Sequence, residues 1–376
     1  MYIGLYSGAG ADGVDAVLAA VRGRREKMKV RQLHHVHAPY ADELHRRIVQ
    51  AMSGKAMPAG ETAELDRDVA LAFAAAAESL LRESHSARED VLAIGSSGQA
   101  TGRVLPALSG EPGCAAELGS PAVIASRTGL SVAARFAQGD LAAGGQGGPL
   151  TAWPDWLLLR DKRLSRVAVH LGGIASLTFV GSGAAADDVV AFDIGPGTLV
   201  IDALADRVLG RPFDSDGAAA SQGVVQPALL NELLANPYFH RSPPKTTQAG
   251  EWGAVYLQRL LLMARKHLCP DADILATVTE LSAHCVAWAV ERLTERPHEV
   301  ILSGGGASNI HLAGRIRNLL SPCSTYSAER YGLSLRGKQA ACFAVLAAAR
   351  LDAFPAHCPA ATGAKKGRVL GSLWMP

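Results

Sequence analysis

Asp193 is the carboxylate best placed to do chemistry. It follows the apolar run Val189–Phe192 and directly precedes Ile194-Gly195-Pro196-Gly197, so a stiff turn would aim it from a strand end into a cleft. A carboxylate held that way can act as a general base or sit near a phosphate-bound cation. It can equally cap the helix that follows, and spacing alone leaves both roles open. Glycine is the other chemistry-bearing feature. Three glycine-rich runs occur in chain order, Ser7–Gly13, Asp193–Gly197 and Ser303–Gly306, each behind an apolar stretch. Such turns let backbone N–H groups approach phosphate with no Cβ in the way. Two of them can clamp phosphates while the third faces a nucleoside. None is a G-x-x-x-x-G-K-[ST] loop, and no G-x-G-x-x-G follows a strand at the right place, so the nucleotide reading rests on the set.

Other polar residues have competing roles. Asp12 and Asp15 flank Gly13 and could hold a Mg²⁺-bound water or simply stabilise the turn. Lys245, in Pro243-Pro244-Lys245-Thr246-Thr247, could neutralise phosphate or be an ordinary exposed lysine. His170, just before Gly172-Gly173 in an apolar run, is expected to be a hydrogen-bonded core histidine. His34, His35 and His37 have no convincing metal partner, so no metal-ligand set is assigned. Trp153 and Trp156 are expected to be core or interface anchors.

The elements that must position these residues alternate between strand and helix. Tyr2–Tyr6 and Val14–Val21 read as a hairpin around the first glycine run, and Val91–Gly95 as a buried strand. Helical spacing marks Glu43–Ser53 and Glu61–Glu83. After the loop Ala142–Pro149 the pattern begins again, with strands at Val167–Leu171, Leu177–Val180 and Val189–Phe192. Helices follow at Leu199–Val208, Ala228–Leu234, Trp252–His267 and Ala272–Arg292, then a strand at Val300–Leu302 and a last helix at Gln339–Ala353. Each half opens with strands leading into a Gly-rich turn, a weak structural repeat. The fold class is therefore α/β, two lobes about a cleft, with lobes at 1–150 and 151–376 and a boundary near Pro149–Arg163. The last helix is free to cross back onto the first lobe.

Composition bounds the function classes. With 376 residues, 48% hydrophobic and 19% charged, the chain has ample core for two domains and is not disordered. A net charge of +2 gives little long-range attraction to nucleic acid or anionic membrane. The six cysteines contain no C-x-x-C pair, so neither a disulfide framework nor a zinc site is expected. No basic segment followed by an apolar one opens the chain, and no run is long enough to span a membrane, so a cytosolic protein is expected.

Taken in order, these segments resemble the anhydro-N-acetylmuramic acid kinase family, relatives of the sugar kinases, hexokinase and actin. The resemblance runs through Ile3-Gly4-Leu5, Ser7-Gly8, Asp12-Gly13-Val14-Asp15, Ala93-Ile94-Gly95 and Gly98-Gln99. It continues in Arg127-Thr128-Gly129, Asp140, Gly144–Leu150, Gly172–Ala175, Phe192–Gly197, Pro244–Thr247, Gly304–Gly306 and Cys358-Pro359 with Thr362-Gly363-Ala364. It implies a two-lobed, ribonuclease H-like fold, a homodimer, and an ATP- and Mg²⁺-dependent enzyme of cell-wall sugar recycling. That enzyme opens 1,6-anhydro-N-acetylmuramic acid with water and phosphorylates O6, giving N-acetylmuramic acid 6-phosphate. The resemblance makes Asp193 the base that activates the water. It places ATP against Gly8, Ala9, Gly10, Ala11, Asp12, Gly13, Val14 and Asp15, with Gly172, Gly173, Gly195, Gly197, Lys245, Gly304, Gly305 and Gly306 completing that side. Gln99, Arg135 and Gln339 fall on the sugar side.

The chain departs from the family pattern at several of these places. Ala9 and Gly10 stand for a Thr-Ser pair, Ser97 for His, Ala100 for Thr, and Arg135 for Asp. His170 and Ser176 replace Asn on either side of the Gly-Gly turn, Thr198 replaces Asn, Gln248–Glu251 disrupts a Thr-Gly-Arg-Glu run, and Gln339 replaces Glu. Three readings stay open: a kinase of this substrate with a rebuilt site, a kinase of another sugar such as a different 1,6-anhydro sugar, and an inactive nucleotide- or sugar-binding relative.

Overall fold

The computed structural model describes residues 1–376, which build two principal sheets of like topology. In the first, β1 (Tyr2–Tyr6), β2 (Gly13–Arg22) and β3 (Lys29–Pro39) form an antiparallel meander. Beyond β1 come β4 (Ala93–Ser96) and β7 (Val132–Ala134), both added in parallel. Between these in sequence, β5 (Gln99–Val104) and β6 (Cys114–Leu118) form a separate antiparallel pair. The second sheet repeats the plan. Its meander is β8 (Arg166–Leu171), β9 (Ile174–Val180) and β10 (Val190–Pro196), with β11 (Glu299–Ser303) and β12 (Ser324–Ser327) added in parallel beyond β8. A C-terminal strand, β13 (Ser372–Trp374), closes the first sheet against β7. The repeat puts the turns after β1 and β8 at equivalent places, and likewise the loops after β4 and β11.

Alternation along the strands sorts large from small side chains. Ile3 and Leu5 of β1 pack outward under the helix Ala59–Glu83, and Val167, Val169 and Leu171 of β8 pack outward with the helix Asp271–Glu291. The inner faces carry Gly4, Ala93, Ala133, Ala168 and Ala191, and between them lies the helix Lys338–Leu351, buried from Lys338 to Ala349. Small residues are required because the helix backbone rests almost on the strands. A Cβ at Gly4 would fall 1.7 Å from the Ala340 carbonyl oxygen, and one at Gly95 2.0 Å from that of Phe343. The same helix reaches the second half of the chain through a buried ion pair of Lys338 with Asp155, which also accepts a hydrogen bond from Thr178 of β9.

Some elements differ from expectation for local reasons. The strand β3 is missing from the sequence reading because its KVRQLHHVHAP run is polar and only Val36 is fully buried. The short strands β7 and β12, of 3 and 4 residues, are too brief to show a period. The helix expected at Trp252–His267 is Ala254–Lys266, preceded by a 3-10 turn at Ala249–Trp252 that buries Trp252.

The Gly4 contact sets a test. Gly4→Val should cost at least about 3 kcal/mol through overpacking against a backbone that cannot yield. A denaturant midpoint close to that of the unsubstituted protein would show that the helix can move away from β1.

Candidate active site

A cavity of about 620 Å³ opens between the two sheets. Its walls include Ser7–Ala9 after β1, Ser97–Arg103 leading into and along β5, Glu117 of β6, His170 of β8, Asp193 of β10, the segment Thr247–Glu251, and Gln339 of the helix Lys338–Leu351. Elements far apart in sequence thus converge on one space.

Asp193 sits within β10, which runs on to Pro196 rather than ending at Phe192. Asp193 pairs with Ser176 of β9, and the register shifts between Asp193 and Gly195, so the carboxylate stands directly before a bulge at Ile194. Gly195 has φ 151, and a Cβ there would meet the Phe239 ring at 2.7 Å. The main chain of Asp193 is fixed on both sides: its N–H donates to the Lys245 carbonyl at 3.1 Å, and its carbonyl accepts from the Tyr238 hydroxyl at 2.8 Å. Oδ2 accepts from Thr246 Oγ1 at 2.6 Å and from the Thr247 N–H at 3.0 Å. Oδ1 receives no hydrogen bond from the protein and faces the cavity. Burial pushes the carboxyl above its ordinary range, opposed by the Thr246 hydrogen bond and the Arg103 charge. The helix Leu199–Leu209 begins at Thr198 without any side-chain cap, so capping is not what Asp193 does.

Arg103 supports this arrangement. Its Nη2 donates to Thr246 Oγ1 at 3.1 Å and to the Thr247 carbonyl at 3.2 Å, and its Nη1 to the Gln146 carbonyl at 2.7 Å. A relay therefore runs from guanidinium to hydroxyl to Asp193. Nothing in the local sequence marks Arg103, because Thr246 and Thr247 lie more than a hundred positions away and Gln146 lies 43 away. The glycine loop that contributes Gln146 is itself anchored by buried Asp140, which accepts from the Gly147 N–H and pairs with His357, each at 2.6 Å.

Among the residues expected on the sugar side, Gln99 and Gln339 line the cavity and Arg135 does not. Arg135 stands behind Glu117, donating to its carbonyl and lying 3.7 Å from its carboxylate, so the cavity meets Glu117 instead. Gln99 is already engaged: Oε1 accepts from Ser7 Oγ at 2.6 Å and Nε2 donates to the Gly8 carbonyl at 3.2 Å. Gln339 Oε1 is buried with no partner, and so is Nδ1 of His170. His170 is therefore not the hydrogen-bonded core histidine expected. Burial, with the Lys338 charge, lowers its pKa to about 3, so the ring is neutral at ordinary pH. Tyr6 packs edge-on to it at 5.8 Å and stacks on Phe343 at 6.0 Å.

The glycine turns meet one another. A Cβ on Gly173 would lie 2.7 Å from the Gly10 nitrogen, one on Gly197 2.2 Å from the Gly172 carbonyl, and one on Gly304 2.6 Å from the Leu171 carbonyl. Gly306 is just as tight, with Thr198 Cγ2 at 2.6 Å, while Gly305 faces Arg336. The N–H groups of Gly8, Ala9, Gly10, Gly172 and Gly173 make no hydrogen bond within the protein, the condition an anion cradle requires. Ala11 and Val14 are core residues beneath this turn, and Gly13 packs against the Ala38 carbonyl. Asp12 pairs with Arg336 on the exposed side of this turn and does not line the cavity. Asp15 is turned into the sheet: burial alone would raise its pKa, but hydrogen bonds with His35 and His37 and the Arg336 charge hold it at about 2. Lys245 corrects the expectation most plainly. Its backbone adjoins Asp193, yet its ammonium points into a different cavity and is not gathered with the glycine turns.

The profile of the anhydro-N-acetylmuramic acid kinase family matches residues 1–376. The chain belongs to that family. It is 39% identical over 372 residues to an anhydro-N-acetylmuramic acid kinase of Gloeobacter violaceus, covering 99% of this chain and 97% of that one. It is 36% identical over 386 residues to that of Salinibacter ruber, covering 100% and 96%. Among solved structures, the activator of 2-hydroxyisocaproyl-CoA dehydratase from Clostridium difficile with bound ADPNP aligns over 93% of this chain and 95% of that one, at 12% identity and a TM-score of 0.48. As a member of the kinase family the chain is a phosphotransferase with an alcohol group as acceptor, and it uses ATP. No helix is long and apolar enough to cross a membrane.

Glu117 gives this kinase a measurable pH signature. Burial lifts its carboxyl to about 7 against the opposing charges of Arg135 and Arg103. The folded state thus binds this proton more tightly than the unfolded chain, whose carboxyl titrates near the ordinary glutamate value of 4.5. Its contribution to stability is greatest at low pH, falls as pH rises from about 4.5 to about 7, and is flat above. Glu117→Gln should remove that slope, on the order of 3 kcal/mol at most. Thermal melts of both proteins from acid to neutral pH check it, and parallel curves would place the Glu117 titration elsewhere.

Proposed function

We propose that this kinase opens 1,6-anhydro-N-acetylmuramic acid with water and phosphorylates the released O6, with Asp193 as general base. The observation that carries this reading is the free Oδ1 of Asp193, aimed into the same cavity that the Gly8–Ala9 turn enters. A water between Oδ1 and the anomeric carbon would lose its proton to the carboxylate as C1 gains oxocarbenium character. The new bond forms from water oxygen to C1, and the C1–O6 bond breaks with its electron pair passing to O6. O6 then attacks the γ-phosphorus and the bridging oxygen leaves with ADP. Transfer of this kind needs mainly alignment and charge neutralisation.

The residues divide the work. Thr246 and Thr247 hold Oδ2, so the remaining oxygen keeps one direction, and burial keeps the carboxyl basic enough to accept a proton. The free amides of Gly8, Ala9, Gly10, Gly172 and Gly173 receive phosphate oxygens, a task that needs no hydroxyl and therefore survives the Ala9 and Gly10 replacements. Gly304–Gly306 serve the nucleoside side. Gln99 holds the first turn through Ser7 and Gly8. No cluster of His, Cys, Asp and Glu forms a dedicated cation cage. That donor chemistry fits Mg²⁺ carried mainly by phosphate and water. Asp12, exposed on the first glycine turn, and the orphaned Oε1 of Gln339 are the protein oxygens that would meet its hydration shell, where the ion would neutralise phosphate charge.

The deciding experiment supplies purified protein with Mg²⁺-ATP and 1,6-anhydro-N-acetylmuramic acid, following ADP release and product mass. A product heavier than the sugar by one water and one phosphoryl unit is expected. Phosphorylation without added water, or no turnover, would remove Asp193 from its assigned role with this substrate. Asp193→Asn should lower kcat by about a thousandfold while ATP affinity stays nearly unchanged. Gly173→Val should do the reverse first, weakening ATP binding at least tenfold by forcing the two turns apart.

A further inference from the structure

A second cavity, of about 240 Å³, lies on the other side of β10 from the active site. Phe192 and Ile194 point into it, while Asp193 between them points into the catalytic space. Its walls are apolar, with 8 of 13 lining residues hydrophobic, and no acidic residue lines it. Lys245 projects inside and is only 8% exposed. Its ammonium has long hydrogen bonds to the carbonyls of Tyr238 and Phe239, at 3.3 and 3.5 Å, and no carboxylate partner. Arg241 and Arg292 stand at the mouth as exposed cations. Their guanidinium groups lie over the rings of Tyr238 and Trp288, at 5.5 and 4.2 Å, and neither makes a salt bridge.

A lysine enclosed by aliphatic and aromatic groups without a counter-charge is costly in a folded protein. The site compensates only in part, with ring faces of Phe192 and Tyr238 at 5.5 and 4.8 Å from Nζ. Two of the three ammonium protons can satisfy the carbonyls, leaving a donor and a full positive charge unanswered. A sugar or a nucleotide would strand its hydroxyls or ring nitrogens against these walls, so neither fits.

We propose that this cavity is a binding site for a small amphipathic oxyanion, a compact apolar body bearing one carboxylate or phosphate group, whose head pairs with Lys245 and enters past Arg241 and Arg292. The site is distinct from the catalytic one and shares with it only the strand β10 and the Lys245–Thr247 segment.

Burial lowers the Lys245 pKa to about 8, with Arg292 and Arg241 acting the same way and Cys285 and Asp193 opposing. Those are the titratable and charged groups facing it: Cys285 and Arg292 from the helix Asp271–Glu291 and its end, Arg241 from the covering loop, and Asp193 from β10. The Cys285 thiol is itself pushed up to about 12 by burial and stays neutral. An anion binds the protonated lysine, so affinity falls as pH rises through about 8, and binding above that pH draws a proton from solution.

The test is calorimetric titration of the full-length protein with benzoate, phenyl phosphate and the neutral benzamide. Saturable binding of an anion at pH 7, none of benzamide, and proton uptake at pH above 8 detected across buffers of different ionisation enthalpy are expected. Preference between benzoate and phenyl phosphate identifies the head group. Lys245→Met, which keeps the bulk, should weaken binding at least about tenfold and abolish the proton uptake. Ala289→Trp, which fills the cavity, should abolish binding, and Arg292→Met should weaken it if the packing change at 289 unfolds the chain. Failure of both anions to bind at concentrations up to about 10 mM, or equal binding to all variants, overturns the proposal.

Discussion

The structure depends on a contact between main chains. The helix Lys338–Leu351 rests on β1 and β4 where Gly4 and Gly95 leave no side chain between helix carbonyls and strand backbone. Because that approach is so close, everything else on the helix is fixed to within the tolerance of packed atoms. Lys338 is delivered to Asp155 beneath the second sheet, Gln339 to the cavity wall, and Phe343 to the ring of Tyr6. The inner faces of both sheets accordingly carry glycine and alanine. Ile3, Leu5, Val167, Val169 and Leu171 turn outward, where separate helices cover them. A helix far down the chain thus sets the distance between the two halves that enclose the site.

The second organising feature is the bulge in β10. Asp193 keeps Ser176 as its neighbour opposite on β9, and alternation turns its carboxylate to the cavity wall; the register shift before Gly195 then breaks the ladder just beyond it. The adjacent segment then works on both faces of the strand at once. Thr246 and Thr247 grip Oδ2 on one side, while Lys245 turns its ammonium to the other. Arg103 ties this segment to β5 and to the glycine loop near Gln146, so the direction of one carboxylate is determined jointly by three separate stretches of chain.

Much of this was readable before any coordinates. The strand-to-glycine runs announced the turns because glycine there has a mechanical reason, and the order of segments was enough for family membership. Asp193 was legible as a candidate for the same cause, but its spacing left helix capping open until the helix Leu199–Leu209 showed no side-chain cap. What stayed hidden was direction and distance. Lys245 sits in a motif beside the site, but alternation decides which face its side chain takes, and an irregular segment carries no alternation to read. Arg135 looked like a charge reversal at the sugar; the fold spends it on Glu117, a residue on a strand whose run of small side chains, CAAEL, carries no clear strand pattern. Arg103 reaches Thr246 and Asp140 reaches His357 across more than a hundred and more than two hundred positions, respectively, and no local pattern encodes that. Gly4 read only as a strand residue, since the helix that needs its missing Cβ comes at the other end of the chain.

The replaced residues form a consistent set once their surroundings are known. Losing hydroxyls at Ala9 and Gly10 matters little where five backbone amides stand free, because a main-chain cradle depends on conformation and the conformation is held by Gln99, Ser7 and the facing Gly173. His170 introduces no charge, because its burial and the nearby Lys338 keep the imidazole neutral. Gln339 removes one. Its orphaned oxygen can still accept a hydrogen bond, but an amide cannot take up a proton in the way a carboxylate can. Of the acids that remain at the wall, Glu117 is buried beside two arginines and Glu251 is spent on the Gln248 N–H. Two carboxyls at this wall are thus raised by burial, Glu117 to about 7 and Asp193 above its ordinary range, and of the two it is Asp193 whose hydrogen bonds hold one oxygen and leave Oδ1 open to the cavity.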